Sequence, residues 1–509
     1  MLPGTISEDD ILLLDNWKNA NRDTTCNKLC KFIDEYELWK EKSLADFKYK
    51  NTYAKAVNEL IKRIEVCIRR LRHGVEILRN SDDSWKAFIL MNEAMLLQRI
   101  NTKKQNKNSI KWYPFQLAYI LQIIPDIAIP ENEYRNTVDL LWFPTGGGKT
   151  EAYLGVAAFT IFYRRISSNS INDGVTVIMR YTLRLLTIQQ FERAAALICA
   201  CEYLRKTNNI PGGEINIGLW IGSSMTPNHI DAVSEVLVKL KENKDEKIYE
   251  GNPIQITKCP WCGKEIDITG YNIKNGNLHI CCNDNPDCEF HKGLPIYVVD
   301  DDIYAKKPTL ILSTIDKFAR IAWVEESKNL FGGSYNMPPS LVIQDELHLI
   351  SGSLGSLSGL YEIAVDYLCN RNGILPKVIA STATVKNADQ QVKSLYGKEM
   401  IQFPPNGLSY TDSFFAHIAD KNERPARIYV GVCENGGSIK DLMVRIYAVL
   451  TLIKAKFTKE NLSDDVIDQY YTIVGYFNAI RDLGATANGL QDRMYTQTRT
   501  LLAHKFKYI

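Results

Sequence analysis

The sequence has little that would carry it into or across a membrane. No stretch of its 509 residues approaches the roughly 18 consecutive apolar residues of a membrane-spanning helix, and Met1-Leu2-Pro3-Gly4-Thr5 has neither the basic region nor the long apolar core of a secretory leader. A cytoplasmic chain without a membrane partner is expected. Charge imbalance is missing too: 61 Lys and Arg against 59 Asp and Glu leave a formal +2, so any basic groove for nucleic acid must be local. Cysteine is unevenly spread, with five of the 12 falling within residues 259 to 288. In a reducing compartment such crowding points to metal rather than to disulfides. The length allows roughly three domains of ordinary size.

A smaller absence sits in the most informative stretch, Phe143-Pro144-Thr145-Gly146-Gly147-Gly148-Lys149-Thr150. The strict phosphate-loop pattern asks for glycine where this chain has Phe143, yet the core Gly-x-Gly-Lys-Thr is intact. It follows the apolar run Val138 to Trp142 and precedes an alanine-rich, helix-forming stretch. A strand, a glycine turn and a helix start in that order aim backbone N–H groups and the positive helix end at an anion. Thr145, Gly146, Gly147 and Gly148 supply the cradle, Lys149 the charge and Thr150 a hydroxyl for Mg²⁺, so an ATP site is expected.

Residues 1 to 105 read as a helical domain: Leu60, Ile64, Cys67, Ile68, Leu71, Val75 and Leu78 recur at three- and four-residue steps. A polar, basic stretch from Asn101 to Lys111 follows, then Trp112-Tyr113-Pro114-Phe115-Gln116. Gln116 reads either as a surface glutamine or as the amide that hydrogen-bonds an adenine edge beside a stacked aromatic ring. Over 106 to 400, short apolar runs alternate with helical stretches: Val175 to Met179, Ile215 to Ile221, Thr309 to Ser313, Leu341 to Gln344 and Lys377 to Ala380. This alternation predicts a parallel α/β sheet with its ligands at the strand C-terminal ends.

Two of those ends carry chemistry. Leu341 to Gln344 runs into Asp345-Glu346-Leu347-His348, where Asp345 would hold Mg²⁺ and Glu346 would polarise the attacking water. Lys377 to Ala380 runs into Ser381-Thr382-Ala383-Thr384, whose hydroxyls either bond the turn of the acidic motif or simply cap a helix. Between 245 and 300, Cys259-Pro260-Trp261-Cys262-Gly263 has the spacing of a zinc knuckle. Cys282 and Cys288 are the expected second pair, Cys281 the spare, with His279 or His291 as alternatives for one ligand. A closed structural zinc site follows from four thiolates.

The phosphate loop, Asp345-Glu346-Leu347-His348 and Ser381-Thr382-Ala383-Thr384, in this order, resemble motifs I, II and III of superfamily 2 helicases. Gln116 matches their adenine-reading position, Arg180 to Gln190 resembles motif Ia, and Leu312 to Phe318 falls where they carry another strand-contacting motif. Asp345 to Gly352 with Leu354-Gly355-Ser356, together with Leu141 to Tyr153, is similar to the helicase-like subunit of bacterial DISARM anti-phage systems, over about Trp112 to Arg493. The resemblance implies a RecA-like ATPase lobe with the zinc-ribbon insertion inside it, and a second RecA-like lobe that begins at 401 and is unfinished by 509. Arg427 to Val432 and Tyr471 to Phe477 would be its first strands. It further implies a nucleic-acid-dependent ATPase, with Arg180, Arg184, Thr314 and Lys317 facing the strand and His348, Ser381, Thr382 and Thr384 coupling it to ATP. DNA is expected before RNA, with other defence subunits and a separate chain completing the second lobe as partners. The alternative is an ATP-gated DNA-binding scaffold with little turnover that recruits a partner enzyme.

Overall fold

The computed structural model describes residues 2–3, 10–103, 106–144, 146–167, 174–182, 184–243, 248–332, 336–383 and 386–419, and then 422, 428–433, 436 and 438–504. Two compact units divide the chain, Met1–Ala419 and Asp420–Ile509.

Eight parallel strands form the centre of the first unit. They are β1 (Val138–Trp142), β2 (Val177–Tyr181), β3 (Ile217–Trp220), β4 (Ile296–Tyr297), β5 (Leu310–Thr314), β6 (Leu341–Gln344), β7 (Lys377–Thr382) and β8 (Met400–Phe403), in the spatial order β8-β1-β7-β6-β2-β5-β3-β4. The sequence locates six of them to within two residues. It misses β4, which has only two residues, and β8, whose Gln402 interrupts the apolar run.

Successive side chains of a strand point to opposite faces, and the two cores separate accordingly. Leu141, Val177, Met179, Leu341, Ile343 and Ile379 enter one core, while Val138, Leu140, Ile178, Val342, Val378 and Ala380 enter the other. Helices α4 (Pro114–Ala128), α5 (Lys149–Ile166) and α6 (Arg184–Thr207) pack with the first set, and α1 (Arg22–Asp46), α2 (Ala54–Asn80) and α3 (Asp82–Lys103) stack outside them. α7 (Ile230–Glu242) joins that same core; α8 (Asp300–Lys306), α9 (Gly352–Cys369) and α10 (Ala388–Tyr396) serve the opposite face. The apolar positions read from α2 are buried at Ile64, Cys67, Ile68, Leu71, Val75 and Leu78. Gly74 lets α2 approach α4 closely, since a Cβ there would stand 2.0 Å from the Leu121 carbonyl oxygen.

Four charges fasten the helical layer to the sheet. Arg70 of α2 bonds Asp139 of β1 at 2.6 Å and Asp126 of α4 at 2.9 Å, and Lys377 of β7 reaches the same carboxylates at 2.7 and 2.9 Å. All four side chains are at most 3% exposed. Burial pushes both carboxyls up. At Asp139, Arg70 and Lys377 outweigh burial and pull it down to about 2, whereas at Asp126 burial prevails.

The second unit is helical among its described residues, with α11 (Ile439–Lys459) packed on α13 (Ile480–His504) and the short α12 (Asp464–Asp468) between them in sequence. Of the two strands expected there, residues 428–433 and 472–477 are irregular, and Arg427 lies outside the described residues. A strand persists only when paired. Here Ile428, Tyr429, Val430, Val474 and Tyr476 are exposed and have no partner strand among the described residues.

Replacing Asp139 by Asn leaves two buried cations sharing one carboxylate. The expected loss is roughly 3–5 kcal/mol, read as a fall in the denaturant midpoint of the first unit. A change near zero would show that the four charges do not hold the layers together.

Candidate nucleotide site and metal centre

β1 ends at Trp142 and the loop turns directly into α5. Phe143 needs no glycine's freedom, because its φ is negative and its ring stacks on Phe115 at 3.8 Å with 12° between planes. Positive φ falls instead on Gly146 (81°) and Gly148 (90°). Gly148 caps α5, and a Cβ there would meet Gln116 Nε2 at 2.7 Å. Lys149 is 7% exposed and its Nζ donates to the Phe143 carbonyl at 3.0 Å. Burial lowers its pKa against the opposing pull of Glu346 and Asp345.

β6 brings Asp345 opposite this loop. Its Oδ1 accepts from Ser381 Oγ and, at 2.9 Å, from the Glu346 amide, and its Oδ2 accepts from Tyr153 Oη at 2.8 Å. Glu346 adopts the left-handed region (φ 49°), a conformation costing roughly 1–2 kcal/mol in a non-glycine residue. Strain of this kind gathers at functional sites. Glu346 Oε2 is buried with no hydrogen bond among the described residues, 3.3 Å from His348 Nδ1, whose own bond runs to Thr382 Oγ1 at 3.1 Å. A cavity of about 980 Å³ opens between the loop, Asp345, Glu346, Tyr113, Tyr181 and Arg99.

The structure therefore gathers Lys149, Thr150, Asp345, Glu346, His348, Ser381 and Thr382 on one rim. Thr145 and Thr384 lie outside the described residues, as does the side chain of Arg184. Gln116 is fully buried: its Oε1 accepts the Tyr113 amide at 2.8 Å and its Nε2 donates to the Gly148 carbonyl at 2.7 Å. In this conformation its amide braces the loop while the residue lines the same cavity as Gly146, Gly148 and Lys149.

Three residues expected to face a nucleic-acid strand are interior. Arg180 is 1% exposed and pairs with Glu362 of α9, beneath Phe318 and Tyr396. Lys317 is 4% exposed and bonds Asp300 at 2.6 Å and the Ile221 carbonyl at 2.8 Å. Thr314 is fully buried. A backbone phosphate has no access to any of them here: Arg180 and Lys317 are committed to interior carboxylates, and the Thr314 hydroxyl is enclosed.

Tyr153 and Tyr181 were not anticipated. Tyr153 lies one helical turn after Thr150 and Tyr181 closes β2 beside Asp345; that i,i+3 spacing was the available signal.

The cysteines meet as expected. Cys259, Cys262, Cys282 and Cys288 place their sulfurs within 4.8 Å of one another, with Cys262 to Cys282 at 3.5 Å and Cys259 to Cys288 at 3.9 Å. Thiolates tetrahedrally bound at about 2.3 Å would stand about 3.8 Å apart, so the cluster fits structural zinc. Cys281 turns away to the Gly270 carbonyl, and His291 Nδ1 contacts the Cys282 carbonyl rather than joining the cluster. Gly263 takes a φ of 73° at the knuckle, and Asn275-Gly276 turns the hairpin between Tyr271–Lys274 and Asn277–Ile280. Trp261 packs between Tyr203 of α6 and Phe290, docking the insertion on the sheet's helical layer.

No protein-family model matches the chain. It is 38% identical to the DISARM protein DrmA of Bacillus paralicheniformis over 547 aligned residues, covering 95% of this chain and 48% of that protein. The chain thus spans about half the length of the curated relative it matches, and the resemblance to the DISARM helicase-like subunit extends along nearly all of it. Among solved structures, the DUF1998 helicase MrfA aligns over 80% of this chain and 41% of its own at 13% identity and a TM-score of 0.41. Dbp5 of S. cerevisiae aligns over 74% and 71% at 12% and a TM-score of 0.31. The RecA-like architecture rests on the parallel sheet itself, with the phosphate loop leaving β1 and the acidic motif leaving β6.

The cluster geometry predicts stoichiometric zinc by metal analysis of the purified chain. Cys282→Ser should lose it and Cys281→Ser should keep it; the reverse result would reassign the ligands.

Proposed function

We propose that this chain is a nucleic-acid-dependent ATPase of the superfamily 2 type, acting in anti-phage defence with other subunits of that system, and on DNA rather than RNA. One observation carries the reading: the carboxylate that would hold Mg²⁺, Asp345, is bonded to Ser381 and to a residue of the phosphate-loop helix, while His348 of the same turn bonds Thr382. Nucleotide and coupling residues thus form one hydrogen-bonded unit.

In this reading the triphosphate takes the Lys149 ammonium from the Phe143 carbonyl and lies against the N-terminus of α5, whose backbone N–H groups and dipole favour an anion. Thr150 and Asp345 are the residues that would hold Mg²⁺, which neutralises charge on the phosphates when bound. Glu346, one of whose oxygens is buried beside His348, orients and polarises the water. Ser381 and Thr382 are bonded to Asp345 and His348, so a change at the γ-phosphate is passed to the end of β7.

Turnover of ATP with and without single-stranded DNA or RNA tests this. Lys149→Ala should abolish nucleotide binding, and Glu346→Gln should bind ATP yet lower turnover by 10²-fold or more. Equal turnover by Glu346→Gln and the unaltered protein would remove the water-activating role. Tight, DNA-responsive ATP binding without turnover would favour a scaffold that recruits another enzyme.

A further inference from the structure

The phenol of Tyr153 occupies an unusual place. It is 1% exposed, on the first turn and a half of α5, and its oxygen lies 2.8 Å from Asp345 Oδ2, 3.1 Å from Thr150 Oγ1 and 3.4 Å from Tyr181 Oη. Helix side chains lean toward the N-terminus, and residues three apart share a face. A tyrosine one turn after Thr150 is thereby laid along the loop with its hydroxyl beyond Thr150.

The phenolic O–H is directed at both Asp345 Oδ2 and Thr150 Oγ1, which share its single proton, while either hydroxyl of the Tyr153–Tyr181 pair can donate.

A buried tyrosine hydroxyl usually finds some partner, and a core role alone would be met by any one carbonyl. Here it has three, and two of them, Thr150 and Asp345, are the side chains that the proposed ATPase reading assigns to Mg²⁺. Thr150 Oγ1 accepts from the same phenol that bonds Asp345, so one hydroxyl spans both side chains. Asp345, held by Ser381 and the Glu346 amide on one oxygen and by Tyr153 on the other, is fixed in rotation.

We propose that Tyr153, supported by Tyr181, is a positioning residue for the Mg²⁺ of this site, joining the Thr150 hydroxyl to the Asp345 carboxylate and setting their separation before the metal arrives. This rests on the ATPase reading above.

The test is equilibrium binding of a fluorescent, non-hydrolysable ATP analogue to the full chain, in EDTA and over a Mg²⁺ titration. Tyr153→Phe retains the ring and removes only the oxygen. The Mg²⁺ concentration for half-maximal tightening should rise about tenfold, the lower end of what loss of an outer-shell partner costs a metal site. Affinity in EDTA should stay as in the unaltered protein. Tyr181→Phe, at the longer distance, should give a smaller shift in the same direction. An unchanged Mg²⁺ midpoint in Tyr153→Phe would overturn the proposal. So would an equal loss of affinity with and without metal, which marks a packing role. Unaltered protein that binds no nucleotide under any condition would instead remove the ATPase reading, and the zinc content of each preparation reports whether the chain folded.

Discussion

Two cations and two carboxylates, shut away from water between α2, α4, β1 and β7, set the terms for the rest of the first unit. Each of the four would be costly alone, and together they are tolerable only in one arrangement of helical layer on sheet. Asp139 belongs to β1 and Lys377 to β7, the neighbouring strands that lead on to the phosphate loop and to Ser381-Thr382. The site therefore stands on strands clamped at their other ends. Phe143 on Phe115, and Gln116 on the Gly148 carbonyl, extend that clamping to the loop itself.

Much of this was legible because parallel strands buried on both faces are short, apolar and bounded by polar turns. Val138 to Trp142 and Leu341 to Gln344 were located to the residue. The motifs at their ends were legible for the same reason, since every parallel strand delivers its C-terminal residue to one rim. The zinc ligands were readable from spacing and a glycine turn, down to the exclusion of Cys281.

Residues whose roles depend on a distant partner were not legible. Arg180 and Lys317 carry the charge that a strand-contacting motif wants, yet Glu362 and Asp300 consume it, and no local pattern announces those pairings. Gln116 was read by its chemistry, but the groups it bonds are backbone atoms, which leave no trace in side-chain spacing. The strands expected near 430 and 474 show the complementary failure: their apolar patterns are real, but a pattern forms a strand only beside another strand.

The zinc cluster has a consequence for how the sheet closes. β3 and β4 are hydrogen-bonded neighbours at Ile217 and Ile296, yet the whole ribbon, with α7, lies between them in the chain. Bringing such distant residues together is slow because the chain entropy is lost before the pairing repays it. Four thiolates gathered by one ion would shorten the free path of that excursion, because metal affinity at such a site is itself folding free energy. A zinc ion held there would act on the order of assembly, since it would draw the ends of the ribbon, and with them the edge strands of the sheet, toward one another.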